Sequence, residues 1–171
     1  MNAIREQIGD KPIIAEDLGF LTDTVLQLVK DSGYPGMKVL QFAFDSREAA
    51  NYLPHTYTDN CVVYTGTHDN DTTRGWFAAA GKDCREFAME YMRRSELEDE
   101  TLAWEFIAMA MSSVASMCII PMQDYLCLGS EARINTPSTL GGNWVWRLKD
   151  GQIEDELAKK IKAMTKLYGR V

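Results

Sequence analysis

The chain has 171 residues, 46% of them hydrophobic and 10% aromatic, which suits one globular unit and excludes a disordered tail. A net charge of -7, from 25 acidic against 18 basic residues, would repel a phosphate backbone, so nucleic acid is not an expected partner. No apolar run approaches the roughly 20 residues of a membrane span, and residues 1–5 lack a signal-peptide core; a cytoplasmic protein with no membrane partner is expected.

In chain order, Ala3, Ile4 and Ile8 look like the tail of a helix belonging to a preceding unit. Four short apolar runs then read as buried parallel strands: Ile13-Ile14-Ala15, Met37 to Phe44, Cys61 to Tyr64, and Cys118 to Met122. After the first run, Thr22 or Asp23 can cap a helix that buries Val25, Leu26 and Val29 and that Gly33 and Pro35 stop. Helical patterns follow around Asp83 to Arg93 and Leu97 to Val114, the second burying Leu102, Phe106, Ala110 and Val114 at period four. A last helix carries Ile153, Leu157, Ile161, Met164 and Tyr168 on one face. Cys61, Cys84, Cys118 and Cys127 show no CxxC spacing and read as reduced structural thiols.

Strands alternating with helices predict a parallel sheet, either open or part of a (β/α)₈ barrel. The acids decide between them. Glu16, Asp45, Asp69 and Asp124 follow the four runs in turn, at the strand ends where barrel enzymes place their chemistry. The expected fold is therefore α/β, the C-terminal half of a (β/α)₈ TIM barrel, with residues 1–171 as part of one catalytic domain and no second domain.

Three segments carry chemistry. In Ala15-Glu16-Asp17-Leu18-Gly19, neighbouring side chains of an extended strand end point oppositely, so one carboxylate faces a central pocket; Glu16 is the better general acid, against a salt-bridged or helix-capping pair. In Tyr64 to Thr73, Asp69 can stabilise positive charge or bind sugar hydroxyls, His68 can donate a hydrogen bond, and Asp71 or Thr72 can cap the next helix. A divalent metal on His68, Asp69 and Asp71 is the rival there, although no HExxH or EF-hand spacing occurs. The third segment, Ser130 to Pro137 with Gly141 to Arg147, combines Asn, Arg and Trp in a way that suits the apolar faces and hydroxylated edges of a glucan. Trp144 and Trp146 are expected to serve the fold rather than the substrate, and Arg133 and Arg147 to pair with surface acids or meet sugar.

Taken together, Ile14-Ala15-Glu16-Asp17-Leu18-Gly19, Pro35 to Phe44, Tyr52-Leu53-Pro54-His55, Tyr64 to Thr73 and Asn143-Trp144-Val145-Trp146-Arg147-Leu148 closely resemble glycoside hydrolase family 77, the 4-α-glucanotransferases, in order and spacing across nearly the whole chain. The resemblance implies a retaining reaction on α-1,4-glucans, maltooligosaccharides and glucose, with no cofactor or metal. It assigns Glu16 as acid and base, Asp69 as the stabiliser of the transition state and His68 as a substrate-binding residue. Asp45, Pro54, His55 and Asn135 resemble positions that line the sugar subsites. The family's nucleophile lies in an Arg-x-Asp-His segment that this chain lacks, so a missing N-terminal half of the barrel is an expected partner and the chain alone is expected to be inactive. An α-amylase-like hydrolase and a non-catalytic glucan-binding fragment are the alternatives.

Overall fold

The computed structural model of the chain describes residues 6, 7, 9, 11–19, 21–45 and 52–170. The helix tail expected at Ala3, Ile4 and Ile8 lies outside the described residues. The elements in order are helix α1 (Asp23–Ser32), strand β1 (Gly36–Val39), the one-turn helix α2 (Leu40–Ala43), a 3₁₀ turn (Pro54–Thr56), β2 (Cys61–Tyr64), α3 (Thr73–Ala79), α4 (Lys82–Met92), α5 (Asp99–Ser112), β3 (Met117–Ile119), the one-turn α6 (Met122–Tyr125), a second 3₁₀ turn (Ser130–Ala132) and α7 (Asp155–Leu167). The strands form one parallel sheet in the order β1-β2-β3, with Val39 opposite Tyr64 and Tyr64 opposite Ile119. Parallel pairing places all three C-terminal strand ends along one edge.

The strand expectations need three corrections. Residues 13–15 form no strand: Ala15 N–H donates to the Pro35 carbonyl at 2.9 Å, but the Met37 N–H is taken at 2.6 Å by the Asp17 carboxylate instead of a backbone carbonyl. That carboxylate fits only because Gly36 has no side chain; a Cβ there would lie 2.4 Å from Asp17 Oδ2. The second run stops being a strand at Val39 and winds into α2, so Asp45 follows a helical turn and not a strand end. The fourth ends at Ile119, and Pro121, which has no N–H to donate, opens α6, which contains Asp124.

The core has two parts, one on each side of α5. Leu102, Phe106 and Ala110 meet Leu40, Phe44 and Val63, and the Phe44 ring lies among the rings of Phe106, Phe87, Tyr91 and Trp76, with centroids 5.6–6.3 Å away. Trp104, Ile107 and Met111 face Leu157, Ile161 and Met164 of α7 and Tyr168 just after it. A helix apolar on both faces belongs inside a fold, and α5 is the central one here. Lys160 Nζ stands 3.6 Å from the centre of the Trp104 ring, and the Arg170 guanidinium closes the far end of α5 by donating to the carbonyls of Met111, Ser113 and Ala115. Val114 lies beyond the end of α5 and is 61% exposed, so the expected period-four burial stops at Ala110.

Helix α1 ends as expected at Gly33, in the left-handed region at φ 69°, and begins after Thr22, whose side chain makes no capping bond. Its apolar face is not buried as expected, because Val25 and Leu26 remain exposed and only Val29 is half-buried. All four cysteines are free; burial pushes the Cys118 thiol up to about 11, in keeping with an inert structural thiol. Among the described residues no helix is long and apolar enough to cross a membrane.

Candidate active site

A cleft of about 730 Å³ opens along the C-terminal edge of the sheet, lined by Tyr64 of β2, Ile119 of β3, Met37 of β1, and Glu16, His68, Asp69, Asn70, Gln123 and Ile134 from the connecting segments. Glu16 and Asp17 take different places, although the segment before them is not a strand. Asp17 serves the backbone of β1, while Glu16 enters the cleft close enough to Tyr64 for its charge, after burial, to help raise the phenol's pKa.

The polar cluster after β2 is a loop, residues 66–72, drawn tight by its own side chains. Asn70 Oδ1 accepts from Thr67 N–H at 2.9 Å and from Thr67 Oγ1 at 2.8 Å, and Asn70 N–H donates back to the Thr67 carbonyl. Gly66 lets the loop pass the Gln41 side chain, whose Nε2 lies 2.6 Å from where a Cβ would stand and donates to the Asp71 carbonyl. Thr72 is the true cap of α3, accepting from Gly75 N–H at 3.0 Å. Asp71 uses one oxygen on Thr72 N–H and the other on Ser130 Oγ at 2.6 Å, so its carboxylate is engaged in joining this loop to the second 3₁₀ turn.

Asp69 is held from the opposite wall. Asn135 Nδ2 donates to Asp69 Oδ1 at 2.6 Å, His68 Nε2 lies 3.4 Å from the same oxygen, and the Arg133 guanidinium donates to the Asp69 carbonyl at 2.7 Å and to the Asn135 carbonyl at 2.8 Å. Asn135 N–H donates to the His68 carbonyl, which completes the bracket. Arg133 therefore meets backbone carbonyls rather than a surface acid. Asp69 and His68 remain about half exposed, 49% and 52% by side chain, so both are open to a ligand.

The sequence-predicted residues thus fall into two groups. Glu16, His68 and Asp69 come together in the cleft, and Asn135 joins them through Asp69. Asp45, Pro54 and His55 do not line it: Pro54 and His55 sit on the 3₁₀ turn before β2, where the His55 ring stacks on Tyr91 of α4 and its Nδ1 lies 3.1 Å from the Tyr91 hydroxyl. Asp124, expected at a strand end on the cleft side, is instead 1% exposed and bonded to Thr65 and Thr73. Neither threonine stood out in the sequence; the only signal was their symmetrical placement around His68 and Asp69.

Of the two tryptophans expected to serve the fold, Trp146 is half-buried and Trp144 departs from expectation. Trp144 is 56% exposed, has a left-handed backbone at φ 63°, and stands with its ring centre 5.1 Å from that of His68. A bulky residue in that region is strained, and here the turn is held by the Trp144 N–H bond to the Ile134 carbonyl and by Arg147 donating to the carbonyls of Trp144 and Trp146. Trp144 therefore contributes an exposed aromatic face beside the cleft rather than core packing. Trp144→Ala is expected to cost about 1 kcal/mol of stability or less, whereas the buried Trp104→Ala should cost about 3–5 kcal/mol. Thermal or urea denaturation of the two variants side by side checks this; equal losses would return Trp144 to the core.

Fold and site together define an α/β protein with its ligand cleft outside the carboxyl ends of parallel strands, the usual position for an enzyme site in such sheets. The family model described as 4-alpha-glucanotransferase, glycoside hydrolase family 77, matches residues 1–154, and the chain belongs to that family. The 4-alpha-glucanotransferase of Clostridium butyricum is 54% identical over 170 residues, covering 99% of this chain and 34% of that protein. The chloroplastic/amyloplastic 4-alpha-glucanotransferase of Solanum tuberosum is 46% identical over 173 residues, covering 99% and 30% respectively. Among solved structures, amylomaltase from Streptococcus agalactiae in complex with acarbose superposes with a TM-score of 0.88 at 35% identity, covering 98% of this chain and 34% of that one. The chain spans about a third of the length of these relatives.

Proposed function

We propose that the chain supplies the C-terminal half of a (β/α)₈ barrel and, with it, the acid and the transition-state stabiliser of a retaining 4-α-glucanotransferase acting on α-1,4-glucans, maltooligosaccharides and glucose in the cytoplasm. The observation that carries this reading is the meeting of Glu16, Asp69 and His68 in one open cleft at the C-terminal strand ends. Glu16 protonates the leaving glycosidic oxygen and later deprotonates the acceptor hydroxyl, while Asp69 and His68 bind the sugar ring as positive charge grows at its anomeric carbon. A nucleophilic carboxylate about 5–5.5 Å from the acid is needed to form the glycosyl intermediate, and it comes from the segment that the chain lacks. The barrel reading accounts for the exposed apolar residues of α1 and for a sheet of three strands among the described residues. Asp45, Pro54 and His55 belong, on this reading, to sugar subsites farther from the point of cleavage.

Maltotriose tests the assignment. The chain alone is expected to leave it unchanged, and mixing with the separately expressed N-terminal part of a relative should produce glucose together with longer maltosaccharides. Shorter sugars alone after mixing would favour an α-amylase-like hydrolase. An unchanged substrate in the mixture would favour a non-catalytic glucan-binding fragment.

A further inference from the structure

A buried carboxylate, that of Asp124, lies outside the cleft lining and is 1% exposed. The carboxylate of Asp124 accepts three hydrogen bonds: Oδ2 from the hydroxyl of Thr65 and from Thr73 Oγ1 at 2.8 Å, and Oδ1 from Thr73 N–H at 2.8 Å. Thr65 is the residue immediately after β2, and Thr73 is the first residue of α3. One carboxylate therefore ties together both ends of the loop 66–72 that carries His68 and Asp69. It comes from α6, next to Gln123, which lines the cleft and donates Nε2 to the Ala132 carbonyl. The chain also braces that loop at its tip, through Asn135 and Arg133.

We propose that Asp124 is a positioning residue, setting the place of Asp69 and His68 by holding both ends of their loop to the strand β3 side of the sheet. The reaction it serves is the glucan transfer proposed above, and the inference rests on that reading for its kinetic part. An ordinary structural carboxylate would be cheaper to place at the surface, since burying a charge is unfavourable unless several donors compensate it. Here burial does push the Asp124 carboxyl above its usual range, and the two threonines pull it back. All three bonds are directed at the carboxylate as acceptor, so the arrangement fixes the separation of the two loop ends to within hydrogen-bond tolerance. That is the tolerance a catalytic loop requires, because displacement of a reacting group by about 1 Å can cost on the order of 10²-fold in rate.

The test has two parts. In the full-length enzyme, Asp124→Asn and the milder Thr65→Val are compared with the parent on maltotriose, with kcat expressed per folded molecule well below the thermal midpoint. Asp124→Asn is expected to lower kcat by about 10- to 100-fold with KM changed no more than about twofold, and Thr65→Val to lower it by about 3- to 10-fold. Thr73→Ser, which keeps both donors, should retain parental kcat where Thr73→Val does not. In the 171-residue chain itself, which has two histidines, the Hε1 resonance of His68 is identified by its persistence in His55→Gln and should shift in Asp124→Asn. An inactive parent enzyme would sink the glucan-transfer reading, yet the His68 shift would still support the positioning role. Unchanged kcat per folded molecule together with an unmoved His68 resonance, even in a less stable variant, would overturn it.

Discussion

Asp69→Asn is expected to lower the turnover of maltotriose by about 10²- to 10³-fold in the complete enzyme while changing the affinity for substrate little. The reason lies in how the carboxylate is held. Asn135 Nδ2 already donates to Asp69 Oδ1 at 2.6 Å, and Arg133 fixes the carbonyl of the same residue. An asparagine at 69 keeps the Asn135 bond by turning its amide oxygen toward it. Its NH₂ group then occupies the position of the second carboxylate oxygen, so the cleft loses a negative charge and gains a donor where the sugar also offers donors. The ground state tolerates this change, since a neutral sugar can rotate a hydroxyl to accept. The transition state does not, because charge develops at the ring and calls for an anion in place. Steady-state kinetics on maltotriose and calorimetric binding of acarbose to the same variant separate the two effects. A turnover within about threefold of the parent would remove Asp69 from the stabilising role.

The same residues explain what the sequence made legible and what it hid. The run Cys61 to Tyr64 is β2 to the residue, and the cluster beyond it is the loop at the cleft, because a continuous apolar run ending in a dense polar segment has few other solutions in a parallel sheet. The separation of Glu16 from Asp17 agrees with expectation in outcome, although residues 13–15 are not the strand on which that expectation rests. Sequence and structure part where an apolar run changes secondary structure without changing composition. Leu40, Gln41 and Ala43 are buried in the helical turn, and nothing in the composition of the run marks the turn into α2 that carries Asp45 away from a strand end. Asp124 was hidden for the same reason: after Pro121 the chain coils, and the carboxylate meets Thr65 and Thr73, 59 and 51 residues away in sequence. The left-handed turn at Trp144 is not marked in the sequence either, since it is held by the Trp144 N–H bond to the Ile134 carbonyl and by donation from Arg147, and Trp144 is not a glycine. Membership of the family, by contrast, rests on long motifs whose order survives such local errors.

The largest effect is expected for Glu16→Gln, which should reduce turnover of maltotriose by about 10²- to 10⁴-fold, the range typical of general acid and base catalysis. Glutamine has nearly the same size and can still hydrogen-bond a sugar hydroxyl, so binding of acarbose should persist. It cannot deliver a proton to the leaving oxygen, nor take one from the acceptor. A donor that needs no protonation, such as a maltosyl fluoride, isolates the first of these steps: its fluoride departs unaided, so glycosylation should recover much of its rate in Glu16→Gln while natural glucans remain slow. The neighbouring carboxylate supplies the control. Asp17 accepts the Met37 N–H at 2.6 Å and packs against Gly36, so Asp17→Ala removes an acceptor for a strand backbone donor and should lower thermal stability while leaving the fluoride-to-maltotriose rate ratio unchanged. If the glycosylation step, read as the initial burst, were slowed in Glu16→Gln as much with the fluoride as with the natural glucan, proton transfer to the leaving group would not be the contribution of Glu16. A shift of the ratio in Asp17→Ala instead would move the acid to the other member of the pair.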